Sequence, residues 1–158
     1  MDYDKLLEAV TRGDLVETAS WLDYRPDVNR TYLSITNTWE TLLHRATNNG
    51  HVLVCELLID RGADINSLDH NEETPLHRAA MRGYKDICEL LLDRGANFHA
   101  KSRMGVTVLQ LADVAVGMKA LYMQDYIENQ RTLNYLKDYL KKTEVYDRRK
   151  DLISMLCN

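Results

Sequence analysis

The chain has little of what would mark it as a fibrous, secreted, membrane or nucleic-acid-binding protein. Of its 158 residues only two are proline, seven glycine and three cysteine. What remains is an ordinary folded composition, 45% apolar and 28% charged, sufficient for one cored domain or a short repeat array. Cys55, Cys88 and Cys157 form neither a dense even set nor a metal-ligand spacing, which argues against a disulfide scaffold and for a reducing setting. Positive charge is not in excess either. Twenty Lys and Arg against 24 Asp and Glu give a net charge of -4, so the broad basic field of a nucleic-acid binder is missing. The longest uncharged apolar-rich stretch, Met104 to Ala112, is about half of a bilayer span and ends at Asp113. The first ten residues carry Asp2, Asp4 and Glu8 and lack the basic-then-apolar layout of a secretory signal. The expectation is a monomer that avoids membranes and stays in the cytoplasm where it is made.

What is present is an internal repeat. Shifting Thr41 to Asn66 by 33 residues lays it on Thr74 to His99 with 14 of 26 positions identical. A further shift of 33 places Thr107, Leu109 and Ala112 where Thr74, Leu76 and Ala79 stand. Going backwards takes a shift of 37, which matches Leu6, Ala9, Gly13, Asp27, Val28 and Asn29 to Leu43, Ala46, Gly50, Asp64, Ile65 and Asn66. Four extra residues therefore lie between Asn29 and Thr41. Within the unit, Thr74 suits a helix N-cap and Pro75 the first helical position. Leu76, Ala79 and Ala80 recur at helical spacing until Gly83 breaks the segment. A second helix follows, with Ile87, Leu90 and Leu91, mirrored by Val54, Leu57 and Leu58, forming its apolar stripe. Gly62 and Gly95 supply left-handed helix ends. So short a helix pair cannot bury its apolar face alone, so the copies must stack.

Thr74-Pro75-Leu76-His77-Arg78-Ala79-Ala80, then Gly83 and Leu90-Leu91-Leu92-Asp93-Arg94-Gly95-Ala96, resembles the ankyrin repeat, over roughly Asp4 to Val116. The resemblance implies an all-α solenoid of about four helix-turn-helix units with β-hairpin-like loops, at about 1–29, 30–66, 67–99 and from 100 to 117 onward. Departures are Trp39 and Glu72 at the usual hairpin glycine, Gln110 at the usual histidine, and Arg25-Pro26 at the usual Gly-Ala end. Beyond Gly117, the stretch Met118–Gln130 is rich in Met and Tyr, Leu133, Leu136 and Leu140 keep helical spacing, and 145–157 is a further short amphipathic candidate. Residues 118–158 are expected to complete the fourth repeat after an insertion of about 13 residues and to cap the stack. The alternative is that Tyr122, Tyr126, Tyr135, Tyr139 and Tyr146 form a docking surface.

No nucleophile with a base, phosphate loop or carboxylate pair stands in a recognisable catalytic context, so an enzyme is not expected, nor a cofactor or metal. His44 and His77 share one repeat position, where the resemblance implies structural hydrogen bonds between loops. Cys55 and Cys88 lie one repeat apart, on helices about 8–10 Å apart, and read as core. Asp60-Arg61 and Asp93-Arg94 read as solvated helix ends. Leu58, Asp64, Ile65 and Asn66 resemble the spacing that asparaginyl hydroxylases accept in ankyrin loops, making Asn66 a hydroxylation candidate.

The resemblance further implies a non-catalytic module that binds, masks, inhibits or scaffolds a partner protein, neutral or basic, through hairpin tips and the concave face. By position, the tip residues are Tyr32, Leu33, Ile35 and Trp39, then His70 and Asn71, then Arg103 and Met104; the groove carries Asn48, Asn49, Met81 and Arg82. Trp39 either presents an aromatic anchor from the lengthened first finger or folds back to seal the first repeat. Other readings are an effector or immunity protein acting on a host or toxin target, and a sensor of a small anionic ligand or RNA.

Overall fold

Threonine caps start the inner helices. Thr41 Oγ1 accepts the His44 amide and the Thr41 amide donates back to His44 Nδ1; Thr74 and His77 repeat the pair, with Pro75 at the first helical position. In the computed structural model the backbone is described over residues 3–24, 27–33, 39–118 and 123–156, and side chains over 3–24, 27–33, 39–117 and 127–144. The elements are α1 (Tyr3–Arg12), α2 (Leu15–Tyr24), β1 (Thr31–Leu33), β2 (Trp39–Thr41), α3 (Leu42–Asn48), α4 (Val52–Asp60), α5 (Pro75–Arg82), α6 (Lys85–Asp93), α7 (Val108–Met118) and α8 (Met123–Leu156). Helices α1, α3, α5 and α7 pack side by side as an inner row, and α2, α4, α6 and α8 as an outer row. Leu43, Leu58, Leu76, Ile87, Leu91 and Leu136 are among the side chains sealed between them, in one core running the length of the stack.

The turn between paired helices is a contact point between repeats. A methyl group on Gly13 would strike the His51 ring, and one on Gly50 would press on Tyr84. At Gly83 it would overlap Asn129 of α8. The sequence intervals agree: Tyr84 is followed at three, four and seven residues by buried Ile87, Cys88 and Leu91, and Asn129 by buried Thr132, Leu133 and Leu136. The hydroxyl of Thr132 donates to Gly83 O at 2.8 Å. The tail, expected as separate pieces, instead contains one helix of 34 residues, about 51 Å long, because neither glycine nor proline follows Gly117 to break it.

Glu72 shows what the missing hairpin glycine costs. It is the sole non-glycine residue with positive φ among those described, at 56°, whereas Gly105, one repeat on, sits at 74°. A side chain there costs about 1–2 kcal/mol, partly offset by the unfolded-chain freedom a glycine adds, about 0.4–1 kcal/mol. Glu72→Gly is therefore expected to raise stability by up to about 1 kcal/mol in chemical denaturation; a loss of stability would mean that the 3.4 Å Arg103–Glu72 pair matters more than the strain. Trp39, at the equivalent position, lies instead in an extended strand, since the four added residues open the first tip into a true hairpin.

Candidate functional site

The hairpin tips form a single row. Antiparallel β1 and β2 pair Tyr32 with Glu40 and Leu33 with Trp39. The His70 amide then donates to Trp39 O at 3.0 Å, and the Arg103 amide to Asn71 O at 2.9 Å, so each tip is fastened to its predecessor through backbone. Strand alternation sends Leu33 and Trp39 outward, 50% and 55% exposed, side by side on the hairpin face. Met104 at the third tip is 88% exposed, and His70, Asn71 and Arg103 are exposed beside it. Leu68, also exposed, joins this row; its sequence position, between Ser67 and Asp69, gave no sign of it.

Tyr32 is a correction. Expected among the contact residues, it is buried: its ring meets that of Tyr3 at 6.3 Å, under which the Arg30 guanidinium sits at 3.9 Å from the Tyr3 ring. Burial pushes the Tyr32 hydroxyl up to about 12. Tyr32 thus does the sealing of the first repeat that the alternative reading gave to Trp39. Ile35 lies outside the described residues.

On the inner row, the groove positions are partly engaged by the frame itself. Arg82 Nε donates to Asn48 Oδ1 at 2.9 Å and Asn49 Nδ2 to Thr11 O at 3.1 Å; Met81 is half-buried. Asn66 is exposed, and its Oδ1 accepts the Asn97 amide at 2.8 Å. Tyr135 and Tyr139 pack on the core, Tyr139 against Phe98 at 5.4 Å, while the side chains of Tyr122, Tyr126 and Tyr146 lie outside the described residues.

Two buried histidines hold the row up. His44 Nε2 donates to Glu73 O at 2.9 Å and His77 Nε2 to Val106 O at 3.3 Å, each the foot of the next hairpin. With the proton on Nε2, Nδ1 is the acceptor for the capping threonine's amide and hydroxyl, so the neutral tautomer is built in. Burial lowers the His44 pKa to about 4 and also lowers that of His77. Gln110 breaks the series: its Oε1 accepts from the Thr107 amide and hydroxyl at 2.9 and 3.0 Å, capping its own helix.

Beneath the second tip lies an ionic cluster that single-residue reading did not find. Arg45 pairs with Glu40 at 2.5 Å, and Arg78 Nε lies 3.1 Å from both Asp69 and Glu73. Asp69 Oδ1 also accepts the Asn71 and Glu73 amides, which shapes the tip. Burial would raise the Asp69 carboxyl, but the Arg78 hydrogen bond and these amides outweigh it and hold it below its usual value. In Glu40 and Glu73 burial wins over their arginines and raises both. The sequence signal was the recurrence of Glu40 and Arg45 as Glu73 and Arg78 at the repeat period. The helix-end residues Asp60, Arg61, Asp93 and Arg94 are exposed, and the arginines also link repeats. Arg61 reaches back to Asp23 at 2.9 Å, and Arg94 to Asp60 and Glu56 at 2.6 and 2.9 Å.

Cys55 and Cys88 are buried free thiols, and burial pushes the Cys55 thiol up to about 11 and raises that of Cys88 as well. Among the described residues no helix is long and apolar enough to cross a membrane. A family model described as ankyrin repeats (3 copies) matches residues 6–102. No curated protein matches the chain.

Proposed function

The chain belongs to the ankyrin-repeat family, whose repeats generally serve as protein–protein interaction modules, and on that premise we propose that it binds and masks one partner protein through its row of hairpin tips. The observation that carries this is the exposed Leu33–Trp39 pair on a hairpin that backbone hydrogen bonds fasten to the tips behind it. A large aromatic on a preformed backbone loses little freedom on association, which is where interface energy concentrates. The inner-row residues Asn48, Asn49, Met81 and Arg82 flank the contact. The partner is neutral or basic, in keeping with the chain's net charge of -4. Helix α8 serves as the outer helix of the fourth repeat, displaced by the inserted residues before it, and closes the stack.

Affinity capture from the native source, followed by quantitative binding of whatever the wild-type chain retains, tests the reading. Trp39→Ala should weaken binding by about 2 kcal/mol or more, roughly 30-fold, while the melting temperature stays within about 2 °C. Unchanged affinity with a large fall in melting temperature would make Trp39 a framework residue and overturn the assignment.

A further inference from the structure

We propose that the outer helices carry a second docking surface, centred on Val16 and Leu53, for a basic segment of a partner protein that presents apolar side chains among its cations. Val16 and Leu53 are each the second residue of an outer helix, α2 and α4, and are related by the same 37-residue shift that aligns their repeats. Since those helices pack side by side, the two side chains stand about one helix spacing, 8–10 Å, apart. They are 77% and 63% exposed, with Leu15 adjoining at the start of α2.

Nothing in the repeat stacking asks for apolar residues there. The same position in the third repeat is Asp86, which is exposed as well, and the position before it, Leu15 and Val52 in the first two repeats, is Lys85. A charged side chain thus satisfies the fold, and the two apolar ones are confined to repeats one and two.

Charge selects the occupant. Helices α2 and α4 contain Glu17, Asp23, Glu56 and Asp60 and no Lys or Arg, and Asp14 precedes α2. Arg12, Arg61 and Arg94 reach onto this face from neighbouring segments. Five carboxylates against three guanidiniums leave the α2–α4 face negative about this apolar pair, and Lys85 and Asp86 at the start of the adjoining α6 offset each other. A segment with Lys or Arg spaced around one or two large apolar residues complements both features. The surface is separate from the tips. Inner helices run down from the hairpins and outer helices begin where they end, so Val16 and Leu53 lie about 10–12 Å away from the tip row.

A random-peptide display library panned on the full-length chain at low salt supplies the probe; the recovered peptide is synthesised, labelled and titrated. The expected probe is rich in Lys and Arg with interspersed large apolar residues. Its affinity should fall at least about tenfold in Val16→Ser/Leu53→Ser and weaken steeply as salt rises from about 50 to about 300 mM. Because both positions are exposed, the double variant should melt as the wild type does, and Trp39→Ala should leave this binding unchanged. Recovery of no basic peptide, binding that survives the double substitution, or binding that Trp39→Ala abolishes would each overturn the proposal. The last outcome would also return the activity to the tip row, which keeps the two surfaces distinguishable.

Discussion

Gly83→Ala is expected to destabilise the fold by about 3 kcal/mol and to lower the melting temperature by about 6–12 °C. Gly83 has a φ of 79°, a conformation that costs alanine about 1–2 kcal/mol. Its missing side chain also leaves the space that α8 fills. A methyl group would overlap Asn129 Oδ1 and come within 3.2 Å of Asn129 Cα, so rotating the amide away does not relieve the contact. Helix α8 must then retreat, stretching the 2.8 Å bond from Thr132 to Gly83 O and loosening Leu133 and Leu136. Gly62 and Gly95, at 87° and 90°, have nothing within 4 Å of the same position, and alanine there should cost only the conformational part, about 1–2 kcal/mol. Equal losses at all three sites, measured by urea denaturation, would show that backbone conformation alone is at stake and that α8 is not bound through this contact.

Between pH 7 and pH 5 the fold is expected to lose about 2 kcal/mol through His44 alone. In the native state its pKa is about 4, against an ordinary 6.5, because burial opposes the charged ring. Below pH 6.5 the unfolded chain therefore binds a proton that the folded chain refuses, and stability falls until the pH nears 4. Above pH 7 the two states bind equally and the contribution is complete. His77, lowered for the same first cause, adds to the slope in the same direction. Glu40 and Glu73 act the other way near pH 5, since their raised pKa values let the native state take protons first. Asp69, held low, resists until the pH falls below the usual carboxylate range. His44→Gln separates these contributions. Gln110 shows that glutamine can cap this helix position, so the variant should fold with a loss of about 1–2 kcal/mol at pH 7, for the Glu73 carbonyl left without its donor. Its stability should then change less between pH 7 and pH 5 than that of the wild type. An unaltered pH profile would assign the titration to other groups.

The central repeats could be read from sequence because each signal there is local. Thr-Pro at 74–75, the glycines at 62, 83 and 95, and the 33-residue recurrence of Leu, Ala and Cys fix where helices begin, end and face. The first finger was harder. Strand residues alternate faces with a period of two, so four added residues with no fixed turn leave the parity open. Only the pairing of Leu33 with Trp39 decides that Tyr32 goes in and Trp39 out. The ionic cluster under the second tip was missed for a related reason. Asp69 and Arg78 meet because a loop turns back over a helix, and residue type does not reveal that. In the tail, helical spacing was visible but continuity was not, since no cap or breaker marks the joins. Nothing in sequence separates Val16 and Leu53 from the buried apolar residues of their helices; exposure alone does.

The bonds that support the hairpin row and seat α8 share an acceptor type. His44 addresses Glu73 O, His77 addresses Val106 O, His70 and Arg103 address Trp39 O and Asn71 O through their amides, and Thr132 addresses Gly83 O. Every one of these acceptors is a main-chain carbonyl, present whatever side chain the residue bears. These bonds therefore place no demand on the identity of residues 39, 71, 73 or 106 beyond their backbone path, although Glu73 also meets Arg78 through its side chain. Apart from Asp69, whose carboxylate shapes the second tip, side chains along the tips can be rewritten while these supports stay the same, so recognition and architecture are free to evolve on largely separate terms.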